Sequence, residues 1–243
     1  MRVIRRLVVG LVFVQPCVSQ DYPYWFLFEG EVGCGTTAVG IAQPSFSRDS
    51  AVALSFRQGC GAFVQRSWVK ISGGQGFWAT EGGTYWMGAD FTEEYDTAGT
   101  RAICSGLSGV DTIVTKDGVF VLVARTGCTV DGMKGKTSSI VGKAPPDWVE
   151  RLPSEKGYSF AIGLAPTYFY ETSSWAEAER AARRNLARGF HTELRSMQKL
   201  TSTEGQEVRQ EELSVTLKNW RVVARWRDVN DGVFYVLIKA PVR

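Results

Sequence analysis

Histidine is nearly absent from this chain: His191 is the one imidazole in 243 residues. A zinc or facial-triad site built on several histidines is therefore excluded, and a Ser-His-Asp triad has a single imidazole to draw on. An excess of one charge is missing too. Lys and Arg number 28 against 25 Asp and Glu, a net charge of +3. That balance gives no basic stripe for nucleic acid, so no nucleic-acid partner is expected. Beyond the N-terminus no apolar run reaches the roughly eighteen residues of a membrane helix, so no transmembrane span is expected. Core-forming residues are plentiful. A chain 44% hydrophobic and 12% aromatic is neither globally disordered nor collagen-like. Its length allows one large domain or two small ones.

Residues 1–19 read as a secretory signal peptide. Arg2, Arg5 and Arg6 make a positive start, residues 7–14 are apolar apart from Gly10, and Pro16 breaks the run before Cys17-Val18-Ser19. The small residues near the break suit a signal peptidase, with the mature chain starting near Gln20. Val14-Gln15-Pro16 replace the small residues that a lipoprotein signal places before its cysteine, so no lipid anchor on Cys17 is expected. The expected location is periplasmic or outer-membrane-associated. Removing Cys17 leaves Cys34, Cys60, Cys104 and Cys128. An even number in an exported chain points to two disulfides. None has CxxC spacing, which leaves zinc and thioredoxin chemistry unsupported.

The sequence says one thing twice. Trp25 and Trp148 lie 123 residues apart, and so do Ala38-Val39-Gly40-Ile41-Ala42 and Ala161-Ile162-Gly163-Leu164-Ala165. Asp117-Gly118-Val119-Phe120 recurs letter for letter as Asp231-Gly232-Val233-Phe234, each followed by an apolar strand. Ala178, Ala182, Leu186, Phe190, Leu194 and Met197 form an i, i+4 stripe. Val52, Phe56, Cys60, Val64, Trp68 and Ile71 repeat its spacing, which predicts a helix over 50–71 and places Cys60 where the second copy has Leu186. Asp49 and Ser174 are the predicted caps. Glu177, Glu179, Arg180, Arg183, Arg184 and Arg188 read as the solvated face of the second helix. Each half then closes with two strands joined at Lys116-Asp117-Gly118 or at Asn230-Asp231-Gly232, the chemistry of a tight hairpin.

The predicted fold class is α+β: two tandem β-α-β-β domains, each a long helix packed on a small antiparallel sheet. The first spans residues 20–128 and the second 147–243. Residues 129–146, rich in Gly, Lys and Ser and closing with Pro145-Pro146, read as a linker. If the first and last strands of the first domain run antiparallel side by side, Cys34 and Cys128 fall within bonding reach, which leaves Cys60 with Cys104.

The second half resembles the Lpp-twenty lipoproteins of bacterial outer membranes and their flagellar relatives, assembly proteins P and T. The resemblance rests on Pro146-Asp147-Trp148-Val149, on Tyr158-Ser159-Phe160-Ala161-Ile162-Gly163-Leu164-Ala165 and on the Ala/Arg helix over 176–187. It continues through Ser214-Val215-Thr216-Leu217, Trp226-Arg227-Asp228 and Gly232-Val233-Phe234-Tyr235-Val236-Leu237. It covers about the last hundred residues, the first half joining through the internal match. It implies a compact β-α-β-β domain, an envelope location and a non-enzymatic role in surface or flagellum-associated assemblies.

No residue is assigned a catalytic, cofactor or metal role. Gly135-Lys136-Thr137 matches the end of a phosphate-binding loop, but Val130 stands where the first Gly belongs and Pro145-Pro146 follow in place of a helix. Asp21, Glu29 and Glu31 form no glycosidase pair. Asp90, Glu93, Glu94 and Asp96 lack the alternation and central Gly of a calcium loop. His191 falls at the edge of the helix's buried face. The least ordinary stretch is 73–99, Gly-rich and holding Phe77, Trp78, Tyr85, Trp86, Phe91 and Tyr95. It reads as an extra hairpin, as a partner-binding surface, or as both. The expected function is that of an exported, non-catalytic structural or adaptor protein of the bacterial envelope. Its partners would be other envelope proteins or copies of itself. The alternative is an envelope-glycan or small-ligand binding module that uses the aromatic loop.

Overall fold

The computed structural model describes residues 21–80, 83–140, 143–198 and 208–242, with the backbone alone at 75–80, 83–89, 193–198 and 208–212. The signal segment, residues 1–19, lies outside the described residues, as do the stripe side chains of Leu194 and Met197. Copy one opens with β1 (Asp21–Pro23), the one-turn helix α1 (Tyr24–Leu27), β2 (Thr37–Ala42) and α2 (Arg48–Ser67). The hairpin of β3 (Trp68–Thr80) and β4 (Gly83–Glu94) follows, then α3 (Thr100–Ser105), β5 (Leu107–Val114) and β6 (Val119–Arg125). β7 (Thr137–Ser139) precedes copy two. That copy runs through α4 (Asp147–Glu150), β8 (Tyr158–Pro166), α5 (Glu171–Gln198), β9 (Val208–Lys218), β10 (Arg221–Asp228) and β11 (Val233–Pro241).

The fold is α+β, built on small antiparallel sheets. Copy one has the strand order β2-β6-β5 and copy two the order β8-β11-β10, so in each the first strand pairs with the last. Each final hairpin carries a register shift, at Gly109/Asp111 and at Val222/Ala224. The two glycines at the strand centres let each helix cross its sheet closely. A Cβ at Gly40 would lie 1.7 Å from the Ser55 carbonyl oxygen, and one at Gly163 would lie 2.0 Å from that of Ala178. Ser55 and Ala178 are also 123 residues apart. That contact fixes the helix alignment: Cys60 matches Arg183, and Leu186 matches Phe63. Cys60 therefore lies three residues from the Leu186 position that the stripe spacing predicts, because positions i+3 and i+4 share one helix face.

Three local expectations are corrected. α2 stops at Ser67, and Trp68 and Ile71 belong to β3, whose Val69 and Ile71 are buried with the period of two of a strand. The cap of α2 is Ser47, whose hydroxyl accepts the Ser50 N–H at 3.3 Å, rather than Asp49. Ser174 lies inside α5, buried, and accepts the Tyr168 N–H at 2.8 Å.

The copies do not keep separate cores. A third sheet, β4-β3-β9, pairs the copy-one hairpin with a copy-two strand along β3 from Trp68 to Trp78. The main core joins Val39, Phe120 and Leu122 of copy one to Trp175, Ala178, Phe234 and Val236 of copy two, with Tyr22, Trp25 and Phe26 of the N-terminal segment between them. A smaller core of Ala38, Cys60, Phe63, Leu107, Val121 and Val123 lies between α2 and the first sheet. Residues 129–146 are more than a tether: Val130 and Ile140 are buried in the main core, and β7 pairs with β1.

Cys34 and Cys128 stand at the ends of β2 and β6 with sulfurs 1.98 Å and Cα atoms 5.5 Å apart, a disulfide. Cys60 and Cys104 are free thiols, contrary to the expected second bridge. They meet in the smaller core, where burial and the neighbouring Cys104 push the Cys60 thiol up to about 12.

Candidate functional site

The connection from β8 to α5 is pinned at both ends. Thr167 Oγ1 donates to the Gly232 carbonyl at 2.8 Å, and the Ser173 N–H donates to that of Tyr170 at 3.0 Å. Between these ties three consecutive aromatics face outward: Tyr168 at 44% exposure, Phe169 at 93% and Tyr170 at 48%. Phe169 and Tyr170 stack edge to face, 4.8 Å between centroids. Burying a Phe ring stabilises by about 1.5–3 kcal/mol, so a ring held in water by a tied loop is available to whatever covers it. Copy one also exposes an aromatic ring at the same place. Phe46, 123 residues before Phe169 and just ahead of α2, is 111% exposed.

The aromatic lip opens over Ser173, Ala176 and Arg180 of α5. The same three residues floor a cleft of about 380 Å³ between the copies, with Val39, Ile41 and Gln58 on its copy-one wall. Its inner end is a relay of ion pairs. Arg183 grips Glu93 in two parallel bonds, 3.0 and 2.7 Å, and reaches Glu179 at 3.2 Å. Arg225 bridges Glu179 at 3.0 Å and Glu29 at 2.8 Å, and Arg66 closes the chain on Glu29. Trp220 lies under two of these cations, 5.5 Å from Arg66 and 5.1 Å from Arg183. Burial alone would raise the Glu179 carboxyl, but Arg225, Arg183 and Arg66 together hold it below its ordinary value. Burial likewise disfavours the Arg66 cation, and Glu29 outweighs that.

The predicted contact residues fall on one hairpin and the residue just after it. Phe77 pairs across the hairpin with Trp86, and Trp78 with Tyr85, but their side chains lie outside the described residues. The hairpin expected of 73–99 is β3–β4. Phe91 packs on the main core beneath Arg188, 5.0 Å from the guanidinium, and Tyr95 is half-buried. Glu93 is the Arg183 partner, and Asp96 accepts the Gly99 N–H at 2.9 Å. Glu179 and Arg183, read as a solvated face, point into the relay. Sequence reasoning missed the lip, although three adjacent aromatics between a strand and a helix were the signal. It also missed Glu29, Arg66 and Arg225, because nothing local marks a charge that long-range packing will bury.

No family model, no curated protein and no solved structure matches this chain.

Proposed function

We propose that this chain is an exported, non-catalytic structural or adaptor protein of the bacterial cell envelope, which joins a multi-subunit assembly through the lip Tyr168-Phe169-Tyr170. The carrying observation is Phe169, held 93% exposed by a loop hydrogen-bonded at both ends. Aromatics are favoured where protein surfaces meet, since they combine large apolar area with few rotatable bonds. The Cys34–Cys128 bridge suits an oxidising compartment. No helix among the described residues is long and apolar enough to cross a membrane. The Lpp-twenty resemblance supports the same reading and favours flagellum-associated or similar assemblies.

The test is the native size of the protein in envelope extracts. The wild-type chain should migrate in a complex well above its own 26.8 kDa, and Phe169→Ala should release it as a free, folded protein. A wild-type chain found only as a free monomer overturns the reading. One observation favours an envelope-glycan binder as the second reading: the lip continues into a cleft with polar walls. That reading requires a monomer that is retained on cell-wall glycan and loses retention with Phe169→Ala.

A further inference from the structure

The two sheets differ in how they are enclosed. Every residue of β6 from Val119 to Ala124 is buried, as in a strand covered on both faces. β11 leaves Val233, Tyr235 and Lys239 partly exposed on one side of the strand. The other side of each sheet lies against its own helix, where Gly40 and Gly163 admit α2 and α5. On the second face of copy one, Val39, Phe120 and Leu122 enter the main core. Phe120 meets Phe26 at 5.0 Å between centroids, and Phe26 meets Trp175 of copy two at 5.2 Å. The register places Ile162, Tyr235 and Leu237 at the matching positions of copy two, with Leu164 where copy one has Ile41. The main core among the described residues includes none of these four. Leu237 is buried in the middle of the face, Ile162 and Tyr235 are half-buried, and Leu164 is 50% exposed. The face of copy one is thus closed with the help of the neighbouring copy, and the chain holds no further copy to close that of copy two.

The two ends of this open face carry opposite charge. At one end Arg221 stands across from Lys239, which also pairs with Glu155 at 2.7 Å. At the other end Asp228 stands across from Val233, close to Asp231 in the turn. The apolar positions lie between, among them Trp226, whose ring is 5.2 Å from that of Tyr235. A face that runs from basic through apolar to acidic is complementary to its own reversed image.

We propose that this face packs against the same face of a second copy of the chain. The twofold axis lies between the two sheets and perpendicular to the strands. Arg221 and Lys239 of each copy then meet Asp228 and Asp231 of the other, around an apolar centre. Stacked sheets lie about 10 Å apart, within reach of these side chains. A head-to-tail contact is disfavoured by α3. Ile103 and Cys104 already pack on the α2 face that a second copy would have to present as copy two presents α5. The contact is separate from the aromatic lip and goes beyond its role.

Sedimentation velocity of the purified, disulfide-intact chain over about 1–100 µM tests this. The wild type should pass from monomer to dimer with a Kd of about 10 µM, weak enough to dissociate in diluted envelope extracts. Leu164→Glu places a carboxylate in the apolar centre twice per dimer. Folded by near-UV circular dichroism, it should stay monomeric. Arg221→Asp should weaken the dimer at least about tenfold. Adding Asp231→Arg to it reverses both ends and should recover most of that loss. Arg221 and Asp231 are exposed, so this pair decides the matter even where Leu164→Glu fails to fold. Phe169→Ala should dimerise as the wild type does. A wild type that stays monomeric at about 100 µM overturns the proposal. So does a folded Leu164→Glu that dimerises normally, a double variant no tighter than Arg221→Asp, or a dimer that Phe169→Ala abolishes.

Discussion

Copy one and copy two share a backbone plan and use one helix face in opposite ways. Phe56 and Cys60 of α2 belong to a small apolar core closed by Ile103 and Cys104 of α3. The matching positions of α5, 123 residues on, are Glu179 and Arg183, and they enter the ion-pair relay. Copy one has α3 to cover that face; copy two has β10 of its own sheet and Arg66 and Glu93 of its neighbour. The repeat thus fixes where the helix crosses the sheet, while the neighbour decides whether the remaining face is apolar or charged. It follows that the relay is the seam of the molecule. Its members come from β4, α2 and the turn after α1 in copy one and from α5 and β10 in copy two.

The largest expected effect breaks that seam. Glu29 is buried between Arg66 and Arg225, whereas Leu152, its counterpart 123 residues on, is 48% exposed. Glu29→Ala leaves two buried guanidinium groups short of an anion and should destabilise by about 4 kcal/mol. Leu152→Ala should stay within about 0.5 kcal/mol. Urea unfolding of the two variants measures both, and a Glu29→Ala protein as stable as Leu152→Ala would mean that the seam lies elsewhere. Next in size are the crossing glycines, where the copies should agree. Gly40→Ala and Gly163→Ala each drive a methyl into the backbone of their own helix, and each should lose about 3 kcal/mol or more. Tolerance at one site and collapse at the other would break the equivalence of the copies.

Much of that equivalence was legible in the sequence, because it rests on local chemistry. The glycine-centred strands, the Asp-Gly turns and the position of Cys34 and Cys128 at strand ends each depend on neighbours close in the chain or on one antiparallel pairing. The end of α2 was not legible. Val69 and Ile71 are buried as a strand buries its residues, yet Trp68 and Ile71 also prolong a helical spacing, and four residues cannot separate the two periods. The pairing of β9 with β3 was hidden for another reason. It joins segments about 140 residues apart, and no hairpin turn announces it. The candidate site was least visible of all. Glu29, Arg66 and Arg225 look like surface charges until tertiary packing removes their water, and nothing local in Tyr168-Phe169-Tyr170 says that the loop ties hold those rings outward.

The smallest expected effect concerns acid, and it sharpens the contrast between Glu179 and its apolar counterpart Phe56. Desolvation pushes the Glu179 carboxyl up, but Arg225, Arg183 and Arg66 pull it further down, so its folded value lies below the ordinary 4.5. A group depressed on folding binds its proton more readily in the unfolded chain. Stability therefore rises with pH through the window between the folded and unfolded values. This contribution is fully present above the unfolded value and is lost as pH falls through the folded one. Glu179→Gln removes the titration and keeps the shape, so its stability should fall less steeply on acidification below the ordinary carboxylate range. Copy one has no carboxylate at the matching position, and Phe56→Leu should leave the acid limb parallel to that of the wild type. Thermal unfolding followed from neutral pH into that range decides the matter: parallel curves for wild type and Glu179→Gln would show that the three arginines do not hold Glu179 ionised.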